Sequence, residues 1–216
     1  MSAPAEGRVT SSQFQMDEKT PTYYPINGER YLRVTDFLRR RGLVNFDAIP
    51  EGDRQFYMDR GTANHELWQR VEEGTDAQYE FDPRVEKYRA AHALFLRETG
   101  FRAVSGGIEK RVNSRWSDFV SGSAISEFVG IAGTVDRIGT IGTNLVLIDY
   151  KTTQVPPSCA MQTALYAMMT PYKFSDIYRY GVAFRSNGTY SMTTRYQSSD
   201  YDAARWHIAQ YLKGGS

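Results

Sequence analysis

The chain of 216 residues, 41% hydrophobic and 24% charged, is long enough for one well-buried core and has an ordinary globular composition. Lysine plus arginine number 26 against 25 acidic residues, a net charge of +1, which neither announces nor excludes nucleic-acid binding, because a basic groove can sit on a neutral protein. The single cysteine, Cys159, excludes an internal disulfide, a cysteine-ligated zinc and a cluster held by several thiolates, and points to a reducing, cytoplasmic setting.

Residues 1–22 mix Ser, Thr, Gln, Pro and charges without period and read as a flexible arm, and residues 1–7 lack the apolar core of a signal peptide. Asn27-Gly28, between Tyr24/Ile26 and Tyr31/Leu32, predicts a hairpin. Val34, Phe37, Leu38 and Arg41 follow at helical spacing, with Thr35 as candidate cap and Gly42 as the stop. A second helix is expected over 52–73, where Phe56, Arg60, Ala63, Leu67 and Val71 recur at steps of three and four and His65 falls among them. Asp82-Pro83 starts a third, carried by Val85, Tyr88, Ala91, Leu94 and Phe95 and stopped at Gly100.

Strands are expected over 104–112, with Glu109 inside, and over 128–138 and 145–152, the last two joined by a turn-rich link at 139–144. Pro156 and Pro157 open a helix through Met161, Leu165, Tyr166 and Met169. Two strands, 177–185 and 189–196, meet at Asn187-Gly188, and Ser199-Asp200 caps a helix to about 212, before a flexible tail at 213–216. With no repeat, no domain boundary and no apolar run near the ~18 residues that a membrane span needs, the expectation is a single soluble α/β domain over 23–212, without membrane contact.

The chemistry concentrates in Gly133-Thr134-Val135-Asp136-Arg137 and Leu145-Val146-Leu147-Ile148-Asp149-Tyr150-Lys151-Thr152. On a strand Asp149 and Lys151 share a face. A hairpin folded about Gly142-Thr143 sets Asp136 opposite Asp149, with Cβ atoms ~4.5–5.5 Å apart. Opposed carboxylates repel, and a hard divalent cation such as Mg²⁺ between them relieves the repulsion. Such a cation can polarise a phosphodiester, and a lysine one pleat away can orient water or stabilise growing charge. Taken alone, Asp149 and Lys151 also read as a solvated pair of little worth. Against that, the apolar run 145–148 marks a strand buried on both faces, where idle charge is costly.

With Gln162-Thr163-Ala164-Leu165-Tyr166 added, these motifs resemble the PD-(D/E)xK nuclease superfamily. Gly61-Thr62-Ala63-Asn64-His65 is similar to the upstream histidine setting of its RecB-type exonuclease branch, including small phage-encoded members, and Glu109 to that branch's intervening glutamate. The D-x-K core alone is weak; five elements in order, over 61–166, are more specific. Asp149 stands where other members use glutamate, and Cys159 alone excludes the iron–sulfur subgroup.

The resemblance implies a central mixed β-sheet flanked by helices, a restriction-endonuclease-like core. It implies a DNA exonuclease dependent on Mg²⁺ or Mn²⁺, acting in recombination, replication or end processing in a bacterial or phage-infected cytoplasm. Asp136, Asp149, Lys151 and Glu109 would be catalytic. His65, Asp136, Asp149 and the Tyr150 carbonyl would bind the metal, and Glu109 a second metal or a metal-held water. Gln162 and Tyr166 would support Lys151 or contact DNA. An endonuclease or structure-selective nuclease of the same fold stands as one alternative, and a non-catalytic DNA-binding or assembly module as another.

Other residues read two ways. Trp68, Trp116, Tyr79 and Tyr88 are candidates for stacking on unpaired bases or for the core. Arg39-Arg40-Arg41 and Lys110-Arg111 are phosphate contacts or solvated surface. The Ser/Gly-rich stretch 113–126 is a flap or a long loop, and His92 and His207 are structural.

Overall fold

The computed structural model of the chain describes residues 23–44, 50–121 and 126–214. The arm expected at 1–22, residues 122–125 of the Ser/Gly-rich stretch and 215–216 of the tail lie outside them.

β1 (Tyr23–Ile26) and β2 (Glu29–Arg33) form the expected hairpin. Asn27 and Gly28 both have positive φ, 51° and 78°, the pair of left-handed residues that a type I′ turn requires. α1 (Val34–Arg40) starts directly where β2 ends, with Arg33 at the N-cap and no capping side chain. Thr35 is therefore inside the helix and not its cap; burial of Val34, Phe37 and Leu38 sets the helix start instead. α2 (Glu51–Glu73) ends on the left-handed Gly74.

At Asp82-Pro83 the expected start is present, the Asp82 side chain accepting from Arg84 N, but the helix is split into α3 (Pro83–Glu86) and α4 (Arg89–Thr99). Val85 and Tyr88 are both buried across the break, so core contacts override helical continuity.

β3 (Arg102–Arg115), β4 (Gly130–Ile141) and β5 (Asn144–Thr152) are longer than expected. The predicted 139–144 link is mostly strand, closed by the two-residue turn Gly142-Thr143. β3 also runs on to Arg115, into the stretch read as flap or loop. α5 (Ser158–Met169), β6 (Tyr178–Phe184), β7 (Tyr190–Met192) and α6 (Ser199–Leu212) follow. Ser199-Asp200 does not cap α6: Ser198 occupies the cap position without a capping bond, and Asp200 pairs with the buried Arg179 at 2.8 Å.

The seven strands form one mixed sheet in the order β1-β2-β4-β5-β6-β7, with β3 alongside β4. β2 runs parallel to β4 and β5 parallel to β6; the other pairings are antiparallel. Alternation along β5 feeds two cores, one on each face. Leu147 joins Ile131 and Val135 against α1, α5 and α6, while Val146, Ile148 and Tyr150 join Leu67, Trp68 and Phe95 of α2 and α4. β5 is thus buried on both faces, as its apolar run implies.

One detail of pairing places the chemistry. β3 occupies one edge of β4 along most of its length. The other edge is shared, with β2 pairing to Gly130, Ile131 and Ala132 and β5 pairing from Arg137 onward. Residues 133–136 of β4 face a fork between the two partners.

Candidate active site

β4 and β5 pair in the expected register, from Ile141 opposite Asn144 to Arg137 opposite Ile148. The ladder stops one step before Asp136 and Asp149. There the Tyr150 N–H donates to Asp136 Oδ2 at 2.6 Å, so a side chain takes over from backbone as the strands part. Asp149 and Lys151 share a face, and the Lys151 ammonium lies 2.6 Å from Asp149 Oδ2. Cys159 Sγ donates to the same oxygen at 3.3 Å.

α2 and β3 bring the other two groups. His65 Nδ1 lies 3.1 Å from Glu109 Oε1 and 3.7 Å from Asp136 Oδ1. Glu109 sits in β3 with φ +46°, a left-handed backbone in the middle of a strand. Just before it, β3 shifts register against β4 between Ala103 and Ile108, where Gly106 has φ +65° and a Cβ on Gly107 would fall 2.2 Å from Ile138 O. Such strain persists only where surrounding contacts enforce it, and it clusters at functional sites. Here Arg137 enforces it, donating from Nη1 to Glu109 Oε1 at 2.9 Å.

Behind these groups lies a buried network absent from the sequence reading. Arg137 Nε donates to both oxygens of Glu72 at 2.9 Å, and its guanidinium lies over the Tyr150 ring. His92 Nε2 is 2.8 Å from Glu72 Oε1, and the Tyr150 hydroxyl donates to that oxygen at 3.3 Å. His92 is thus structural, as read, but Glu72 and Arg137 were missed. The usable signal was an arginine directly after Asp136, the one cation in a strand otherwise made of apolar residues, glycine, threonine and that aspartate.

On α5, Gln162 Nε2 donates to the Tyr166 hydroxyl at 3.3 Å. The Tyr166 ring lies so close to Gly133 that a Cβ there would come within 2.5 Å of Cε1, which is why the motif begins with glycine. Of the aromatics proposed for stacking, Trp68, Trp116 and Tyr88 are core residues, and Tyr79 alone is exposed. Arg39 and Arg40 have carboxylate neighbours, Asp36 and Glu127.

The electrostatics suit a divalent cation. Burial pushes the Asp136 carboxyl up to about 6, with the Asp149 charge adding to it and His65 opposing. Burial alone would lower the Lys151 ammonium, but Asp149 and Asp136 more than offset it and hold it above the usual lysine range. For His65, too, burial is outweighed, by Asp136 and Glu109, and its pKa is raised. One ligand atom each from His65, Glu109 and Asp136 lies within 4.8 Å of the others. Asp149 Oδ1 is buried with no hydrogen-bond partner among the described residues. Nitrogen and carboxylate oxygens in this number suit a hard or borderline divalent ion.

A model of the PD-(D/E)XK nuclease superfamily matches residues 37–179, well over half of the chain. The chain belongs to that superfamily. Among curated proteins, none matches it in sequence. Among solved structures it is similar to a candidate exonuclease from Eubacterium rectale, at 8% identity and a TM-score of 0.42, over 84% of this chain and 74% of that one; so distant a likeness assigns no activity. PD-(D/E)XK nucleases use divalent metals, and the matched span holds His65, Glu109, Asp136, Asp149 and Lys151 together. No helix among the described residues is long and apolar enough to cross a membrane.

For this PD-(D/E)XK chain the shifted carboxyl makes a pH-dependent prediction. Asp136 has a folded pKa above its unfolded value of about 3.9, so its ionisation costs stability progressively between that pH and about 6, and in full above. A cation held beside Asp136 would remove the cost, and His65 would add in the same direction, because a histidine must shed its proton to ligate. The rise in Tm on adding Mn²⁺ is therefore expected to be small at pH 5 and several-fold larger at pH 7.5. Equal shifts at both pH values would separate cation binding from Asp136.

Proposed function

We propose that this protein is a divalent-metal-dependent DNA nuclease, using Mg²⁺ or Mn²⁺ and acting as an exonuclease in recombination, replication or end processing. The observation that carries the reading is the convergence of Asp136, Asp149 and Lys151 with His65 and Glu109 at the fork beside β4. The exonuclease mode rests on the likeness of the Gly61-to-His65 and Gln162-to-Tyr166 motifs to the RecB-type branch, whose phage-encoded members are of similar kind.

His65, Asp136, Asp149 and the Tyr150 carbonyl would hold the cation, with Glu109 beside them for a second ion or a water. When bound, the cation supplies Lewis acidity toward a phosphodiester oxygen and steadies charge on the leaving oxygen. Lys151, held protonated by its carboxylate neighbours, acts as an N–H donor and positive charge and not as a base. It orients the attacking water and meets charge developing on the phosphate. Tyr166, fixed against Gly133 and bonded to Gln162, lies close enough to feel the charges of Asp149, Asp136 and Lys151 and would support that ammonium or contact DNA.

End-labelled linear DNA, single- and double-stranded, incubated beside a covalently closed circle with Mg²⁺, Mn²⁺ or EDTA tests the proposal. Metal-dependent loss of the linear species with the circle spared is the expected result, and the labels then give polarity. Cleavage of the circle would make the protein an endonuclease of the same fold. No cleavage under any condition would overturn the catalytic reading.

A further inference from the structure

One row of α2 runs at steps of three and four residues through Tyr57, Arg60 and Gly61, then Asn64, Leu67 and Trp68. The second half of the row is buried in the core. The first half lies in line with it along the helix, and there Tyr57 is exposed while Arg60 and Gly61 are partly buried. Phe56, Tyr57 and Met58 are 46%, 41% and 47% exposed, a run of large apolar side chains that water does not favour.

Two features say what suits this surface. The Arg60 guanidinium lies 4.9 Å from the Tyr57 ring centroid and 5.8 Å from that of Phe56, and its Nε is covered and has no hydrogen-bond partner among the described residues. Flat rings interleaved with a cation are the chemistry that grips unpaired nucleotides, bases on the rings and phosphate on the charge. The surface also runs straight into the candidate site. Tyr57, Gly61 and His65 form one row four residues apart, and among the described residues nothing lies within 4 Å of a Cβ built on Gly61, so there is room beside the helix between ring and histidine. Eight residues span ~12 Å of helix, roughly three or four stacked nucleotides.

We propose that the first half of α2, through Tyr57, Phe56 and Arg60, is a stacking platform for unpaired bases of the strand entering the site. The inference rests on the nuclease reading and gives it a substrate class: DNA with an unpaired stretch a few nucleotides from the scissile phosphate. A surface built for dimerisation would present the same exposed rings, and the test separates the two.

Binding of a fluorescent 20-mer of thymidylate is measured by anisotropy in EDTA, where the strand stays intact, with the full chain and its variants. Tyr57→Ala and Phe56→Ala are each expected to weaken binding about tenfold. Tyr57→Phe, which keeps a ring, retains it. An abasic strand of equal length and charge binds the parent protein weakly and is indifferent to Tyr57→Ala. Unchanged affinity in Tyr57→Ala, equal loss on the abasic strand, or conversion of a dimer to a monomer by light scattering would each overturn the platform. Mn²⁺-dependent hydrolysis of bis(p-nitrophenyl) phosphate, too small to reach Tyr57, keeps the two readings apart. If it persists while strand binding ignores Tyr57, the platform fails and the nuclease stands; if the parent protein hydrolyses neither it nor DNA, the nuclease reading itself fails.

Discussion

Lys151→Ala is expected to lower metal-dependent DNA cleavage by about 10²–10³-fold, the usual effect of removing one donor aimed at developing charge. It should also leave a second mark. In the parent protein the ammonium lies 2.6 Å from Asp149 Oδ2, and the Asp149 carboxylate is almost wholly buried. Removing the lysine strips that carboxylate of its cationic partner, which costs stability in EDTA. A divalent ion then has more to neutralise, so Mn²⁺ should raise the Tm of the variant by more than it raises that of the parent. Thermal unfolding with and without Mn²⁺, beside timed digestion, reads both effects. Retained activity would remove Lys151 from the site. Lost activity with no extra stabilisation by Mn²⁺ would place the cation away from Asp149.

The second large effect is expected one layer deeper. Arg137 is fully buried and contacts Glu72 and Glu109 at once. Burial holds the pKa of His92 below its usual range, so the arginine is the main positive charge facing Glu72. Arg137→Met leaves the buried glutamate uncompensated and should cost about 3–5 kcal/mol, which at roughly 2–4 °C per kcal/mol for a chain of this size lowers Tm by about 6–20 °C. Denaturant titration measures the loss, and calorimetry on the folded variant should show Mn²⁺ affinity down by about 10–100-fold, because Glu109 loses the group that holds it in its left-handed conformation. Substituting Glu72 and Arg137 together by apolar residues should be less damaging than either change alone. A stability loss under about 1 kcal/mol would show that the network is dispensable.

What was legible in the sequence was what local chemistry dictates. Asn27-Gly28 forms its turn because few other dipeptides reach two positive φ values. The β4–β5 register followed from a two-residue turn and an apolar run that tolerates no slip, and it carried Asp136, Asp149 and Lys151 to one place. What the sequence hid depends on partners far along the chain. Glu72 looks like any glutamate near the end of a helix until Arg137 and His92 close over it. Trp68 and Tyr57 lie on the same stripe of α2, and only the end of the sheet decides that one is core and the other exposed. Glu109 reads as an ordinary strand residue because its left-handed backbone is imposed from outside.

The Tyr150 N–H, bonded to the Asp136 carboxylate and not to a main-chain carbonyl, makes the two aspartates unequal as targets for inactivation. Asp149 Oδ2 meets the side chains of Lys151 and Cys159, whereas Asp136 completes the sheet where β4 and β5 separate. An alanine at 136 would leave a main-chain donor stranded in the interior, so lost turnover there could not be told from a loosened strand. Asparagine keeps an acceptor for that amide while removing the negative charge. The architecture has merged part of its scaffolding with its chemistry, and this position is therefore less free to vary than its counterpart across the hairpin.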